Sequence, residues 1–206
     1  MSNLLQIDRT CFTWINTGCS NPIFDVTMPS ITHLGDAATV WLWIVFIGLL
    51  MVWQLAHSTE TDQQCKRQPG AIIKAVVLFS LYMALIHGIT TGACTGLKRL
   101  CNRSRPFLQQ TVMLRISPAT SSVLANEGSF PSGHSTNAFM IAALLAERVR
   151  KKRYYPYCMA ALVAFSRVYL GVHYPADVIV GSCLGLSITW VMLFFHRKVL
   201  QKYCVQ

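Results

Sequence analysis

Two histidines with charged neighbours are the residues of this chain best suited to chemistry. The first, His173, lies between Arg167 and Asp177 in otherwise apolar sequence. Because proline is tolerated in the first turn of a helix, a helix is predicted to begin near Tyr174 or Pro175. Asp177 then falls in that turn, where its carboxylate can accept a hydrogen bond from one imidazole nitrogen and leave the other free as a nucleophile. Taken alone, the trio is equally consistent with a helix-capping acid beside a packed loop histidine.

The second histidine, His134, lies in the segment FPSGHS, residues 130–135, directly before an apolar run. Ser132 can cap the helix that follows, and Gly133 lets the backbone approach a ligand. Free N–H groups at a helix N-terminus favour an anion. An ordinary capping sequence accounts for the serine and the glycine but gives no reason for the histidine.

Two cations, Lys98 and Arg105, lie seven residues apart near the end of an earlier apolar run. A planar guanidinium and a lysine point charge at one membrane surface suit a phosphate dianion better than a carboxylate. Arg99 and Arg103 belong to the same stretch, and they are interpreted as basic loop residues that face anionic lipid headgroups.

The composition is that of a membrane protein. The 206 residues are 53% hydrophobic and 13% charged, which is too apolar for an ordinary soluble domain. About five apolar runs predict the spanning helices of an all-α membrane bundle, two of them short and enclosed by the others. These runs are Ala37–Leu55, Ala71–Leu97, Ala138–Ala146 with its polar lead-in, Tyr157–Val172 and Val178–Phe195. Residues 1–206 are interpreted as a single domain, with amphipathic interfacial helices in 1–35 and a catalytic bundle in 36–206.

The formal net charge of +10 does not indicate nucleic-acid binding, because the cations are spread over membrane loops and do not share a soluble face. Cytoplasmic loops carry the excess of Lys and Arg, so the more basic side of the five spans is predicted to be cytoplasmic. That side holds Lys66, Arg67, Arg148, Arg150–Arg153, Arg197, Lys198 and Lys202. The loops at 98–131 and 173–176 then face the opposite compartment.

This topology brings the chemically suited residues to one side of the membrane. The second and fourth spans end there, and the third and fifth begin there. The residues expected to converge are Lys98, Arg105, Ser132, Gly133, His134, Arg167, His173 and Asp177. Three cations, a helix N-terminus and two histidines describe phosphoryl transfer through a phosphohistidine.

Three segments of the chain resemble the complete signature of the type-2 phosphatidic acid phosphatase superfamily, in the order that the family shows. They are K-x6-RP at Lys98–Pro106, PSGH at Pro131–His134 and SR-x5-H-x3-D at Ser166–Asp177. The match covers about 80 residues. The resemblance implies a membrane lipid phosphatase that needs neither a metal ion nor a cofactor.

The resemblance and the residue chemistry assign the same roles. His173, oriented by Asp177, is expected to attack phosphorus, and His134 to protonate the leaving oxygen and then take a proton from water. The nonbridging phosphoryl oxygens are expected to be held by Lys98, Arg105, Arg167, the Ser132 hydroxyl and the Gly133 N–H group.

The substrate is inferred from the location of the site. Undecaprenyl pyrophosphate in a bacterial cytoplasmic membrane is the first expectation, with the active site on the periplasmic side. Lipid A phosphate is the second, and phosphatidylglycerophosphate and phosphatidic acid remain open. A vanadium haloperoxidase and a non-catalytic lipid-phosphate binding or transport protein are the competing hypotheses. The sequence leaves the oligomeric state open.

Several further residues receive weaker interpretations. Glu127 could meet a substrate headgroup or, the preferred interpretation, steady its loop. His33 and Asp36 are interpreted as a helix cap and its neighbour, and Arg115 and Asn126 as candidates for headgroup selection. Cys94 and Cys101 could approach each other in a disulfide.

Overall fold

The computed structural model describes residues 3–56 and 69–204, and in these ranges all regular secondary structure is helical. Short turns of other helix types occur at Trp14–Gly18, His33–Gly35 and Arg150–Lys152. The α-helices of the described ranges are α1 (Asn3–Thr13), α2 (Pro22–Thr32), α3 (Ala37–Ala56), α4 (Pro69–Cys101), α5 (Pro106–Gln109), α6 (Pro118–Ala125), α7 (Gly133–Arg148), α8 (Tyr154–Tyr169) and α9 (Pro175–Cys204).

Each of the five predicted apolar runs corresponds to one helix, and α9 begins at Pro175 as predicted. Within the described ranges, α3, α4 and α9 are long and apolar enough to cross a membrane. Helices α7 and α8 have 16 residues each, which gives a length of about 24 Å against a hydrocarbon core of about 30 Å. The protein is therefore an all-α integral membrane bundle, and the number of five spans stays a prediction.

The apolar core lies between α3, α4, α7 and α9. Ile47, Met83, Ile86, Met140 and Leu144 are fully enclosed there. Large apolar side chains also cover the outward faces of the three long helices, an arrangement that suits contact with lipid. They include Trp41, Leu42, Leu49, Leu78, Leu81, Leu85, Ile179, Val191 and Phe195.

Helix α7 occupies the middle of the bundle and packs most extensively against α9 and α8. Two glycines of α9 make the contact with α7 close. A Cβ atom added at Gly181 would overlap the carbonyl oxygen of Ser132, and one added at Gly185 would overlap that of Thr136. Small residues four positions apart allow helix backbones to approach in this way. The first turns of α7 and α9 consequently lie side by side.

The N-terminal helices dock on the end of the bundle where α9 begins. Phe12 is buried against Tyr174 and Val178. Buried Asn16 donates to the carbonyl oxygens of Met113 and Tyr169 at 2.9 and 2.8 Å, and accepts from the Met113 N–H group. This segment therefore holds the loop before α6 against the end of α8. Its predicted position in the membrane interface stays a prediction.

The opposite end of the bundle carries cations from α7 and α9. The amide of Gln54 donates to the carbonyl oxygen of Arg148 at 3.2 Å, and Arg197 pairs with Glu147. Lys66 and Arg67, which also contribute to the predicted orientation, lie outside the described residues.

Substitution of Gly185 by Ala is expected to destabilise the protein, because the added methyl group overlaps the Thr136 carbonyl and separates α7 from α9. Overpacking of this kind costs about 1–3 kcal/mol, so Tm in detergent should fall by roughly 2–12 °C. Gly88→Ala in α4 is the matched control, since its Cβ position has no atom within 4 Å. Equal Tm values for the two variants would show that the close approach is not needed.

Candidate active site

A cavity of about 590 Å³ lies at the end of the bundle where α4 ends and α7 and α9 begin. Six of the eight predicted site residues line it: Lys98, Arg105, Gly133, His134, Arg167 and His173. The other two lie directly behind the lining, where the Ser132 N–H group donates to the Asp177 carbonyl oxygen at 3.0 Å. The structure thus brings together residues that come from five separate segments of the chain.

His173 lies in the turn that precedes α9, next to the carboxylate of Asp177. The distance from His173 Nδ1 to Asp177 Oδ2 is 3.5 Å, at the outer limit of a hydrogen bond. The same Oδ2 accepts from the Ser129 hydroxyl and from the Tyr174 N–H group. Asp177 is fully buried, and these donors stabilise its negative charge. Ser129, one residue before the FPSGHS segment, was not identified from the sequence.

The other imidazole nitrogen of His173 faces a guanidinium group. Nε2 is 3.2 Å from Nη1 of Arg105. A guanidinium group only donates, so Nε2 must carry the lone pair and Nδ1 the hydrogen that faces Asp177. This is the tautomer that a nucleophilic Nε2 requires.

Burial keeps His173 uncharged. Desolvation lowers its pKa from 6.5 to about 3, the positive charges of Arg105 and Arg167 act in the same direction, and Asp177 opposes them. At neutral pH the Nε2 lone pair is therefore available.

Arg105 is fixed by backbone carbonyl groups on three sides. Its guanidinium donates to the oxygens of Leu124, Glu127 and Val172 at 2.9, 3.1 and 3.2 Å. The Glu127 side chain adds a carboxylate 3.5 Å from Arg105 Nη2 and 3.4 Å from Lys98 Nζ. These contacts support the interpretation that Glu127 steadies its loop.

Arg167 is buried at the end of α8, with 4% of its surface exposed. Its Nη1 donates to the Thr32 hydroxyl at 2.7 Å. Its Nε is buried and has no hydrogen-bond partner in the described part of the chain. Because buried donors are almost always paired, an unpaired arginine nitrogen beside a cavity indicates a site for an anion.

His134, in the first turn of α7, forms a contact that the sequence did not predict. Its Nε2 lies 2.6 Å from Oδ1 of Asp36, and Oδ2 of Asp36 lies 2.7 Å from Nδ1 of His33. Asp36 directly precedes α3, and its contact with His134 adds to the interpretation of His33 and Asp36 as a helix cap and its neighbour. The hydrogen bond with His134 is the largest cause that lowers the pKa of Asp36 to about 2, so this carboxyl group is ionised.

Arg103 also differs from its predicted environment. It donates to Oδ1 of Asp177 at 2.7 Å and to Oδ2 of Asp8 at 2.6 Å, and its guanidinium lies over the Tyr174 ring. The second oxygen of Asp8 accepts from the Ala176 N–H group at 2.8 Å. Arg103 is therefore not a loop residue facing lipid, because two carboxylates hold it against the start of α9.

Arg115, Asn126, Cys94 and Cys101 were also considered from the sequence. Arg115 pairs with Asp25 and donates to backbone oxygens, and its guanidinium lies over the Tyr169 ring. Cys94 is buried and Cys101 is exposed, and both are free thiols. The disulfide considered from the sequence is absent between these two residues. Asn126 lines the cavity.

Comparisons with known proteins agree with this fold. The family model of the PAP2 superfamily matches residues 75–200. A lipid A 4'-phosphatase of Porphyromonas gingivalis is 39% identical over 191 residues, which cover 91% of this chain and 72% of that protein. Phosphatidylglycerophosphatase B of Bacillus subtilis is 30% identical over 189 residues, which cover 86% of this chain and 78% of that protein.

A solved structure shows the same architecture. The crystal structure of a transmembrane PAP2 type phosphatidylglycerolphosphate phosphatase from Bacillus subtilis superposes with a TM-score of 0.68 at 28% identity, covering 96% of this chain and 89% of that chain. A helical membrane bundle with these relatives is a membrane-embedded phosphatase. The chain belongs to the PAP2 superfamily, as its signature segments predicted, and it is a membrane lipid phosphatase.

Substitution of Arg103 by Gln is expected to lower phosphate release at least tenfold, because Oδ1 of buried Asp177 loses its cationic donor and the carboxylate is no longer held toward His173. Arg197→Gln is the matched control, since Arg197 pairs with a carboxylate at the far end of the bundle. The measurement is turnover of detergent-purified variants on a lipid phosphate. Wild-type turnover by Arg103→Gln would contradict a positioning role for Arg103.

Acidification is expected to destabilise the wild type partly through His173. The folded-state pKa is about 3 and the ordinary value is 6.5, so the unfolded chain binds more protons between these pH values. Stability from this group is complete above about pH 6.5 and is lost as the pH falls toward 3. In His173→Gln, Tm should therefore fall less steeply between pH 7 and pH 4.5 than in the wild type. Parallel curves would contradict the lowered pKa.

Proposed function

We propose that this phosphatase hydrolyses lipid phosphates through a phosphohistidine formed on His173. One observation carries the proposal: His173 lines the same cavity as three cations, Lys98, Arg105 and Arg167, and its Nε2 lone pair faces the Arg105 guanidinium. In the first step, Nε2 attacks phosphorus, a P–N bond forms, and the bond from phosphorus to the lipid oxygen breaks. In the second step, water attacks phosphorus, the P–N bond breaks, and inorganic phosphate leaves.

The three cations hold the nonbridging oxygens of the phosphoryl group and stabilise its charge as the bond breaks. The unpaired Nε of Arg167 and the fixed guanidinium of Arg105 support this role. The backbone at Gly133 lines the same cavity. The Ser132 hydroxyl is buried and accepts a hydrogen bond from the Ser135 N–H group as the cap of α7. The structure therefore supports a phosphate contact by this hydroxyl less than contacts by the three cations. Because fixed cations supply the positive charge, turnover needs no divalent metal ion.

His134 serves as the acid–base residue. Its imidazolium gives a proton to the departing lipid oxygen, and the neutral imidazole then takes a proton from the attacking water. The two transfers return His134 to its starting state, so one lipid phosphate and one water give one lipid alcohol and one phosphate.

Lipid A carrying a phosphate monoester is the first substrate to test. The relative that is 39% identical over 91% of this chain is named a lipid A 4'-phosphatase, which supports this choice. Undecaprenyl pyrophosphate, the first expectation from the sequence, becomes the second substrate to test. Phosphatidylglycerophosphate is the third, and the relative named phosphatidylglycerophosphatase B supports it.

The location proposed is the bacterial cytoplasmic membrane, with the cavity on the periplasmic side. The cations at the far ends of α7 and α9 support this orientation, since they lie opposite the cavity and basic ends face the cytoplasm. The whole chain acts as one domain, because the N-terminal helices contact the start of α9 directly.

The test is phosphate release by purified wild type, His173→Ala and a control variant, His196→Ala, whose histidine stacks on Tyr82 away from the cavity. The panel contains lipid A, undecaprenyl pyrophosphate, phosphatidylglycerophosphate and phosphatidic acid. Wild type and His196→Ala should release phosphate in EDTA, and His173→Ala should release none. Rapid acid-free denaturation during turnover should also trap a phosphoryl group on His173. Full activity of His173→Ala would exclude this nucleophile, and loss of activity in EDTA with rescue by Mg²⁺ would exclude the metal-free mechanism.

A further inference from the structure

The carboxylate of Asp36 occupies a position built against the first turn of α7. The turn His33–Gly35 approaches α7 so closely that a Cβ atom on Gly35 would lie 2.8 Å from the His134 carbonyl oxygen. The Asn137 amide donates to the Gly35 carbonyl oxygen at 3.2 Å. The backbone that carries Asp36 is therefore held at a fixed distance from His134.

Both carboxylate oxygens of Asp36 are engaged by imidazole nitrogens. Oδ1 lies 2.6 Å from His134 and Oδ2 lies 2.7 Å from His33. A carboxylate that capped α3 would instead accept from N–H groups of the first turn of that helix. The side chain of His33 is 71% exposed, whereas that of His134 is 26% exposed and lines the cavity. Of the two contacts of Asp36, the one with His134 therefore connects it to the cavity.

We propose that Asp36 is the positioning residue of His134, paired with it as Asp177 is paired with His173. This inference rests on the proposed acid–base role of His134. A carboxylate only accepts, so Nε2 of His134 carries the hydrogen of the 2.6 Å contact. Asp36 thereby fixes the orientation of the ring.

The charge of Asp36 also favours the protonated form of His134, which a general acid requires. The charged groups that face His134 are Arg167 from α8, Lys98 from α4 and Asp36 itself. Burial, the largest cause, and the two cations lower the pKa of His134 from 6.5 to about 4, and Asp36 is the anion that acts in the opposite direction. His33 is the further titratable group in contact with this carboxylate. Without the anion, His134 would hold its proton only at lower pH.

The first test is Asp36→Asn, which keeps the shape of the side chain and removes its charge. Turnover of a lipid alkyl phosphate should fall about 10–100-fold, within the range that general acid catalysis contributes. Turnover of p-nitrophenyl phosphate should fall much less, because a nitrophenolate leaves without protonation. The alkaline limb of the kcat–pH profile on the lipid should move to lower pH. Asp36→Glu, which keeps the charge, should recover part of the lost activity.

A double-mutant cycle shows whether Asp36 acts through His134. In the His134→Asn background, Asp36→Asn should add little further loss on the lipid substrate, because the group that it positions is already absent. The control is Glu147→Gln, which removes a carboxylate from the far end of α7 and should leave kcat unchanged. Tm of each variant reports whether it is folded.

Two outcomes separate this inference from the proposed function. If His134→Asn selectively loses alkyl phosphate turnover but Asp36→Asn loses both substrates equally with an unchanged pH profile, then Asp36 is only structural and the inference fails. If His134→Asn itself keeps full activity on the alkyl phosphate, the acid–base role of His134 fails, and with it the basis for a partner.

Discussion

The close approach of α7 and α9 is the constraint on which the active site depends. Gly181 and Gly185 leave the carbonyl oxygens of Ser132 and Thr136 in direct contact with the backbone of α9. His134 lies in the first turn of α7 and His173 just before the first turn of α9, so the separation of the two helices sets the separation of the two histidines. The hydrogen bond from Ser132 to the Asp177 carbonyl oxygen fixes the same pair of helix starts. The two glycines of α9 thus bring His134 and His173 to the same end of the bundle, as the proposed function requires.

Charge balance is the second organising feature. Lys98 and the buried Arg105 and Arg167 concentrate positive charge at the cavity, which is costly unless anions lie nearby. Glu127 neutralises part of this charge at Lys98 and Arg105. Asp177 and Asp36 lie behind the two histidines, and Arg103 and Asp8 continue the alternation of charges outward into α1. Helix α1 is therefore part of the electrostatic environment of His173, although its residues 3–13 are not among the described residues that line the cavity.

Features formed by residues close together in the chain could be predicted from the sequence. The three signature segments, the helix start at Pro175 and the five apolar runs were all found correctly, because each depends on neighbours within one or two turns. Contacts that depend on helix packing were missed. Arg103 meets Asp177 and His134 meets Asp36 across 74 and 98 residues of sequence, and no local pattern encodes such a pairing. The four-residue spacing of Gly181 and Gly185 indicates a close helix contact, but it does not identify α7 as the helix that they contact.

The Glu127 carboxylate at Lys98 and Arg105 has a consequence for which anions the protein admits. A ligand that replaces this carboxylate exchanges one set of ion pairs for another. Its binding is therefore favoured over the Glu127 contact only if it carries more negative charge than one carboxylate does. A phosphate monoester is close to a dianion at neutral pH and meets this condition. A phosphodiester, the headgroup linkage of ordinary membrane phospholipids, carries a single negative charge and gains nothing from the exchange. In the proposed function, the loop glutamate therefore favours a phosphomonoester over a phosphodiester as the ligand of Lys98 and Arg105.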